Sequence, residues 1–110
     1  MNKVIDKLPD LVAEELAAAN DIHSFFHSPH EGYAVLLEEI EEVKEELRCV
    51  EDNLTRLWGC VRADAFKSVP GWARYLENTA IQLAAEAIQV AAMARKMQDS
   101  LKGVDANESD

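Results

Sequence analysis

The sequence predicts an all-α fold, a bundle of three to four long helices completed by homo-oligomerisation. Ala, Leu and Glu are abundant, whereas the 110 residues include only four glycines and three prolines. Apolar residues recur at helical spacing along most of the chain and nowhere alternate with the period of two that marks a strand. Two of the helical segments carry more apolar surface than a chain of this length can cover by itself. Residues 1–103 are expected to form one domain, and the polar stretch 104–110 a disordered tail.

The first helix is predicted from about Pro9 to Phe26. Proline is tolerated in a first turn, and Leu8, Val12, Leu16, Ala19, Ile22 and Phe26 follow at helical spacing. The next boundary is the best marked. Ser28-Pro29-His30-Glu31 sets a serine cap, a proline at the first helical position and a glutamate three residues after the cap, which is the pattern of a capping box. The second helix then carries Leu36, Ile40, Val43, Leu47, Val50, Leu54, Leu57 and Val61, alternating steps of four and three. It either continues to about Ala65 or breaks near Asp52-Asn53. Ser68-Val69-Pro70-Gly71 reads as a turn. The last long helix runs from about Trp72 or Tyr75 to Leu101, with Lys102-Gly103 as its C-cap. Its alanines at 80, 84, 85, 87, 91, 92 and 94 allow close approach of neighbouring helices on more than one side.

A formal net charge of −10 and a pI near 4.6 exclude the basic footprint that a nucleic-acid polymer requires. A single nucleotide remains compatible, because metal ions can bridge its phosphates. Cys49 and Cys60, eleven residues apart, would sit about 16 Å apart on one helix, too far for a disulfide. Two reduced thiols, an amino terminus without a signal-peptide core and no apolar run long enough to span a bilayer point to a cytoplasmic protein without membrane attachment.

The chemistry is concentrated in two segments. From Ala80 to Ala94 the only polar side chains are Gln82, Glu86 and Gln89, and spacings of four and three place them on one helix face. A carboxylate there must be paired, hydrogen-bonded or bound to metal, because burying it bare is costly. The second segment is Leu37-Glu38-Glu39-Ile40-Glu41-Glu42-Val43-Lys44-Glu45-Glu46-Leu47. A glutamate-rich helix face is ordinarily solvated surface, so position has to separate its members. Relative to the apolar stripe, Glu39 and Glu46 lie on the flank, Glu42 one step further round and Glu38 further still, while Glu41 and Glu45 point away. Before residue 56 this helix has only Lys44 and Arg48 as cations, so a shared metal is favoured over an internal ion pair for Glu86. Oxygen ligands suit Mg²⁺, Mn²⁺ or Ca²⁺ and argue against zinc. No glutamate is followed by histidine three residues later, which disfavours a di-iron carboxylate site.

These segments resemble the all-α NTP pyrophosphohydrolase superfamily, the MazG-like proteins, whose metal signature is Glu-Glu-x-x-Glu on one helix and Glu-x-x-Asp on a later one. Glu38-Glu39-Ile40-Glu41-Glu42 fits the first half, and Glu86-Ala87-Ile88-Gln89 approximates the second. The flanking text, His30–Leu37 and Glu86–Ala94, resembles small phage and bacterial members, over about residues 9–101. The resemblance implies an oligomeric helical bundle that binds Mg²⁺, or Mn²⁺ in its place. It would hydrolyse a ribo- or deoxynucleoside triphosphate between the α and β phosphates, releasing the monophosphate and pyrophosphate. Cations would neutralise the phosphate oxygens and lower the pKa of a bound water.

Carried across residue by residue, Glu38 and Glu39 are the catalytic candidates, and Glu39, Glu42, Glu86 and Gln89 the metal ligands. Gln89 stands where the family has aspartate and leaves one less negative charge. The interval 43–85 is longer than common and implies an added helix around Asn53–Ala65.

Lys96, seven residues after Gln89 on the face of Glu86, is the candidate phosphate contact; the commoner fate of such a residue is a snorkelling surface lysine. His27 and Tyr33 are further substrate-binding candidates. Together with His23, Phe25, Phe26 and Trp72 they offer aromatic faces for a base. The rival expectation is a non-catalytic helical bundle serving assembly or regulation, supported by Gln89 and the long heptad, which could dock a partner helix. The oligomer is expected to be a homodimer or homotetramer.

Overall fold

The computed structural model describes residues 3–21 and 25–102, and among these there is helix and no strand. Three α-helices follow one another: α1, Lys3–Asn20; α2, Pro29–Arg62; and α3, Val69–Ser100, with a 3-10 turn at Phe66–Ser68 leading into the last. No described helix is long and apolar enough to cross a membrane.

α1 differs from expectation at both ends. It begins at Lys3, so Pro9 lies inside the helix, where its missing N–H and its ring cost one backbone bond to Ile5. It ends at Asn20. Leu8, Val12, Leu16 and Ala19 are half-buried as the spacing predicts, but Phe26 lies outside the helix, and Ile22, like His23, falls outside the described residues. Phe26 instead serves the turn into α2. Its N–H donates to Ser100 Oγ at 3.0 Å, and its ring lies under the Lys96 ammonium, 4.9 Å from the centroid.

The capped start of α2 forms with one change. Glu31 N–H donates to Ser28 Oγ at 3.1 Å, the expected N-cap bond. The glutamate side chain reaches one residue further back than a capping box requires. Its Oε1 accepts the His27 N–H, and its Oε2 faces His27 Nδ1, both at 3.2 Å.

α2 then runs unbroken to Arg62, so neither a break at Asp52-Asn53 nor an added helix around Asn53–Ala65 exists; the interval 43–85 is taken up by α2, the turn and α3. Its end is a Schellman turn. Ala65 N–H donates to Cys60 O at 2.9 Å and Asp64 N–H to Val61 O at 3.1 Å, with Asp64 in the left-handed region at φ 58°. Val69-Pro70-Gly71, read as part of a turn, is the first turn of α3, where a proline removes no helical bond. Gly103, the expected C-cap, and the tail 104–110 lie outside the described residues.

Backbone contacts divide the chain into two compact units, Met1–Ile40 with Ala87–Asp110, and Glu41–Glu86. The second is a helical hairpin. On α3 its half-buried residues are Val69, Trp72, Leu76, Thr79, Leu83 and Glu86, an unbroken three-four seam. On α2 they are Val43, Glu46, Val50, Asn53, Leu57 and Cys60 with their neighbours Gly59 and Val61. Asn53 Nδ2 donates to Thr79 Oγ1 across the hairpin at 3.1 Å. At its turn end Arg56 stacks on Trp72, whose ring also meets Tyr75 at 5.4 Å. The first unit holds three helical segments and the only buried residues described: Gly32, Ala92 and Lys96. Gly32 is required by close approach, since a Cβ there would collide with Met97 Sδ and come within 3.1 Å of the Phe26 ring.

The α2 heptad divides. Leu36, Val43, Val50 and Leu57 are half-buried, but Ile40, Leu47 and Leu54 are exposed, as are Tyr33, Leu37 and Trp58. Along this helix the buried face is turned about half a residue step away from the apolar one, and it takes in Glu39, Glu46 and Asn53. Among the described residues no large hydrophobic side chain is fully buried. Cys49 and Cys60 are both free, as their spacing requires.

Candidate functional site

The rotation of α2 makes the site. Because the inward face passes through Glu39, that carboxylate is half-buried instead of solvated, and Glu42, one turn on, stands exposed beside it. On α3 the apolar run carries Glu86 into the seam, one turn after Gln82. Gln82 Nε2 donates to Glu86 Oε1 at 3.2 Å, while Glu86 Oε2 is shielded from solvent and has no hydrogen-bond partner among the described residues.

One carboxylate oxygen each from Glu39, Glu42 and Glu86 lies within 4.8 Å of the other two. Three ionised carboxylates this close repel by about 1 kcal/mol per pair in a water-like dielectric and about 3.5 at an effective value of 20. A bound divalent cation removes that penalty and gives the orphaned Glu86 oxygen a partner. The donors are hard oxygens, and three of them leave further positions for water or phosphate, which fits Mg²⁺ or Mn²⁺. The residues present therefore fit the ion.

The other candidates are distributed less evenly. Glu38 is exposed, one residue step round α2 from Glu39, and Glu41 and Glu45 are exposed as expected. Gln89 is half-buried one turn beyond Glu86. Lys96 corrects the expectation of a surface lysine: it is 5% exposed, and its ammonium lies on the Phe26 ring. His27 is exposed and paired with Glu31. Phe25, Phe26, His27, Glu31 and Val35 enclose an open hollow of about 280 Å³. Tyr33 is outside it, in a shallow depression with Pro29 and His30. Trp72 is engaged by Arg56 and Tyr75 in the hairpin. The aromatic residues proposed for one base-binding wall are thus not gathered in one place; Phe25, Phe26 and His27 are.

Sequence reasoning gave Gln82 no role beyond sharing a face with Glu86. Its spacing of four from Glu86 is the signal that it orients the carboxylate. Lys96 and Phe26 carry no such signal, because Phe26 reaches Lys96 only through the path of the turn. In comparisons with protein-family models, curated proteins and solved structures, nothing matches the chain.

Proposed function

We propose that this chain is a Mg²⁺-dependent nucleoside triphosphate pyrophosphohydrolase of the MazG-like type, working as a homo-oligomeric helical bundle. The observation that carries the reading is the trio Glu39, Glu42 and Glu86, with one Glu86 oxygen buried and without a hydrogen-bond partner. These three residues, with Gln89 as a neutral fourth ligand, would hold the ion. When bound, the ion supplies charge neutralisation for the phosphate oxygens and acidifies water. Glu38, exposed beside the trio, is available to accept a proton from water, and Gln82 holds Glu86 in orientation. Lys96 is the remaining cation assigned to the phosphates.

The deciding experiment is pyrophosphate release from a panel of ribo- and deoxynucleoside triphosphates with Mg²⁺ or Mn²⁺, using Glu39→Gln as the control for contaminating enzymes. Release by the wild type and its loss in the variant support the reading. Silence across the panel from folded protein overturns it in favour of the second reading, a non-catalytic assembly or regulatory bundle. That alternative draws on one observation of its own, the exposed apolar row along α2.

A further inference from the structure

α2 presents to solvent two adjacent rows of side chains at seven-residue spacing. One row is wholly apolar, Tyr33, Ile40, Leu47 and Leu54. The other is Leu37, Lys44, Glu51 and Trp58. Since α2 is a single uninterrupted helix, spacing alone fixes both rows on one side of it.

Both rows are complementary to their own reversal. Turned end for end about Leu47, Ile40 exchanges with Leu54; about a point half a residue further on, close enough for one axis to serve both rows, Leu37 exchanges with Trp58 and Lys44 with Glu51. A two-fold axis perpendicular to a helix pair keeps each row facing the same row of the other copy, running the opposite way. An antiparallel α2 pair therefore sets Lys44 beside the second copy's Glu51 twice, within an otherwise apolar contact. A parallel pair in register would set lysine against lysine and glutamate against glutamate.

We infer that a second copy of this chain docks antiparallel on α2, with the two-fold axis passing close to Leu47. The Ile40–Leu54 and Leu37–Trp58 layers and the reciprocal Lys44–Glu51 ion pairs would hold it. The size is adequate. Six large side chains, each 39–64% exposed, offer on the order of 600 Å² per copy before any contribution from neighbouring residues, against about 800 Å² per partner in a standard interface. Arg48, close to the axis, points further outward and has Glu51 and Asp52 three and four residues along its own helix, so it does not oppose the pairing. The inference deepens the oligomer of the proposed function by naming its face, direction and register, and it depends on neither metal nor nucleotide.

The test is disulfide trapping in a Cys49→Ser/Cys60→Ser background without Mg²⁺ or nucleotide, alongside light scattering. An equimolar mixture of Ile40→Cys and Leu54→Cys should give the mixed cross-linked dimer, and Leu47→Cys alone should cross-link to itself. Ile40→Cys alone should remain uncross-linked. The uncross-linked wild type should scatter at twice the 12.3 kDa of one chain. Lys44→Glu or Glu51→Lys should weaken the dimer at least tenfold at low salt, and the double exchange should restore it. Helical circular dichroism identifies any variant that fails to fold. Self-linking of Ile40→Cys would establish a parallel pair, and a monomeric wild type or no rescue by the double exchange would equally overturn the inference. Absence of pyrophosphate release from nucleoside triphosphates, with the cross-links formed as expected, would refute the proposed chemistry alone.

Discussion

Replacing Glu86 by glutamine should stabilise the metal-free protein and remove most of its response to Mg²⁺. The three carboxylate oxygens within 4.8 Å repel by about 1–3.5 kcal/mol per pair. Salt at 0.15 M and the exposure of Glu42 bring the relief from neutralising one of them down to about 1–3 kcal/mol. Against this, the Gln82 bond to Glu86 Oε1 loses its charged acceptor, a loss of about 1 kcal/mol. A net gain of up to about 2 kcal/mol should raise the melting temperature by up to roughly 15 °C for a domain of this size. In the wild type, Mg²⁺ at a hundred times its dissociation constant adds about 2.7 kcal/mol, so the order of the two proteins should narrow or reverse when the ion is added. The assay is thermal melting by circular dichroism in chelator-treated buffer and again with Mg²⁺ at matched ionic strength. Should Glu86→Gln melt below the wild type without metal, Glu86 is serving a structural partner. Should Mg²⁺ raise both proteins equally, the ion is binding elsewhere. Either result refutes the reasoning.

Three further substitutions follow from the same geometry. Gly32→Ala should destabilise by about 1 kcal/mol in urea, overpacking against Met97 and Phe26 exceeding the better helix propensity of alanine; in a Met97→Ala background the loss should shrink. Asp64→Gly should raise the urea midpoint by about 0.5–1 kcal/mol equivalent with an unchanged m-value, because φ 58° is strained for any residue with a Cβ. Gln89→Asp should hold or increase metal-dependent turnover; a clear loss in pyrophosphate release would show that the acidic ligand geometry of the MazG-like proteins is not in use here.

The helical class, the capped start of α2 and the carboxylates Glu39, Glu42 and Glu86 were legible because each depends on spacing within one helix. What was not legible depends on partners. The eight apolar heptad positions of α2 correctly identified an apolar stripe but not that three of them, Ile40, Leu47 and Leu54, would be exposed, since that choice is made by the position of α3. The extent of α1 was misjudged because residues 3–8 form helix despite Pro9, and because Phe26 continues a helical period by coincidence. The turn at Ala63–Ala65 carried no glycine to announce it, and an aspartate occupies the left-handed position instead. Lys96 looked like surface by composition, yet it is buried, with its ammonium over the Phe26 ring.

The hydrogen bond between Asn53 and Thr79 has a consequence beyond its own modest energy. Two long helices joined by a short turn, both rich in interchangeable Leu, Val and Ala, offer many nearly equivalent alignments, displaced by one heptad or about 10 Å. Every such slip would take the amide of Asn53 away from the Thr79 hydroxyl and set it against Trp72 or Glu86 of the seam, while hydrophobic contacts would be largely replaced by others. The pair therefore acts as a vernier mark on a sliding scale: it hardly tightens the hairpin but makes one alignment distinguishable from the rest. Glu42, about 16 Å along α2 from that mark, and Glu86, about 10 Å along α3 from it, would part company at the first slip. Asn53→Leu should accordingly yield a hairpin that melts no lower yet no longer brings those two carboxylates together.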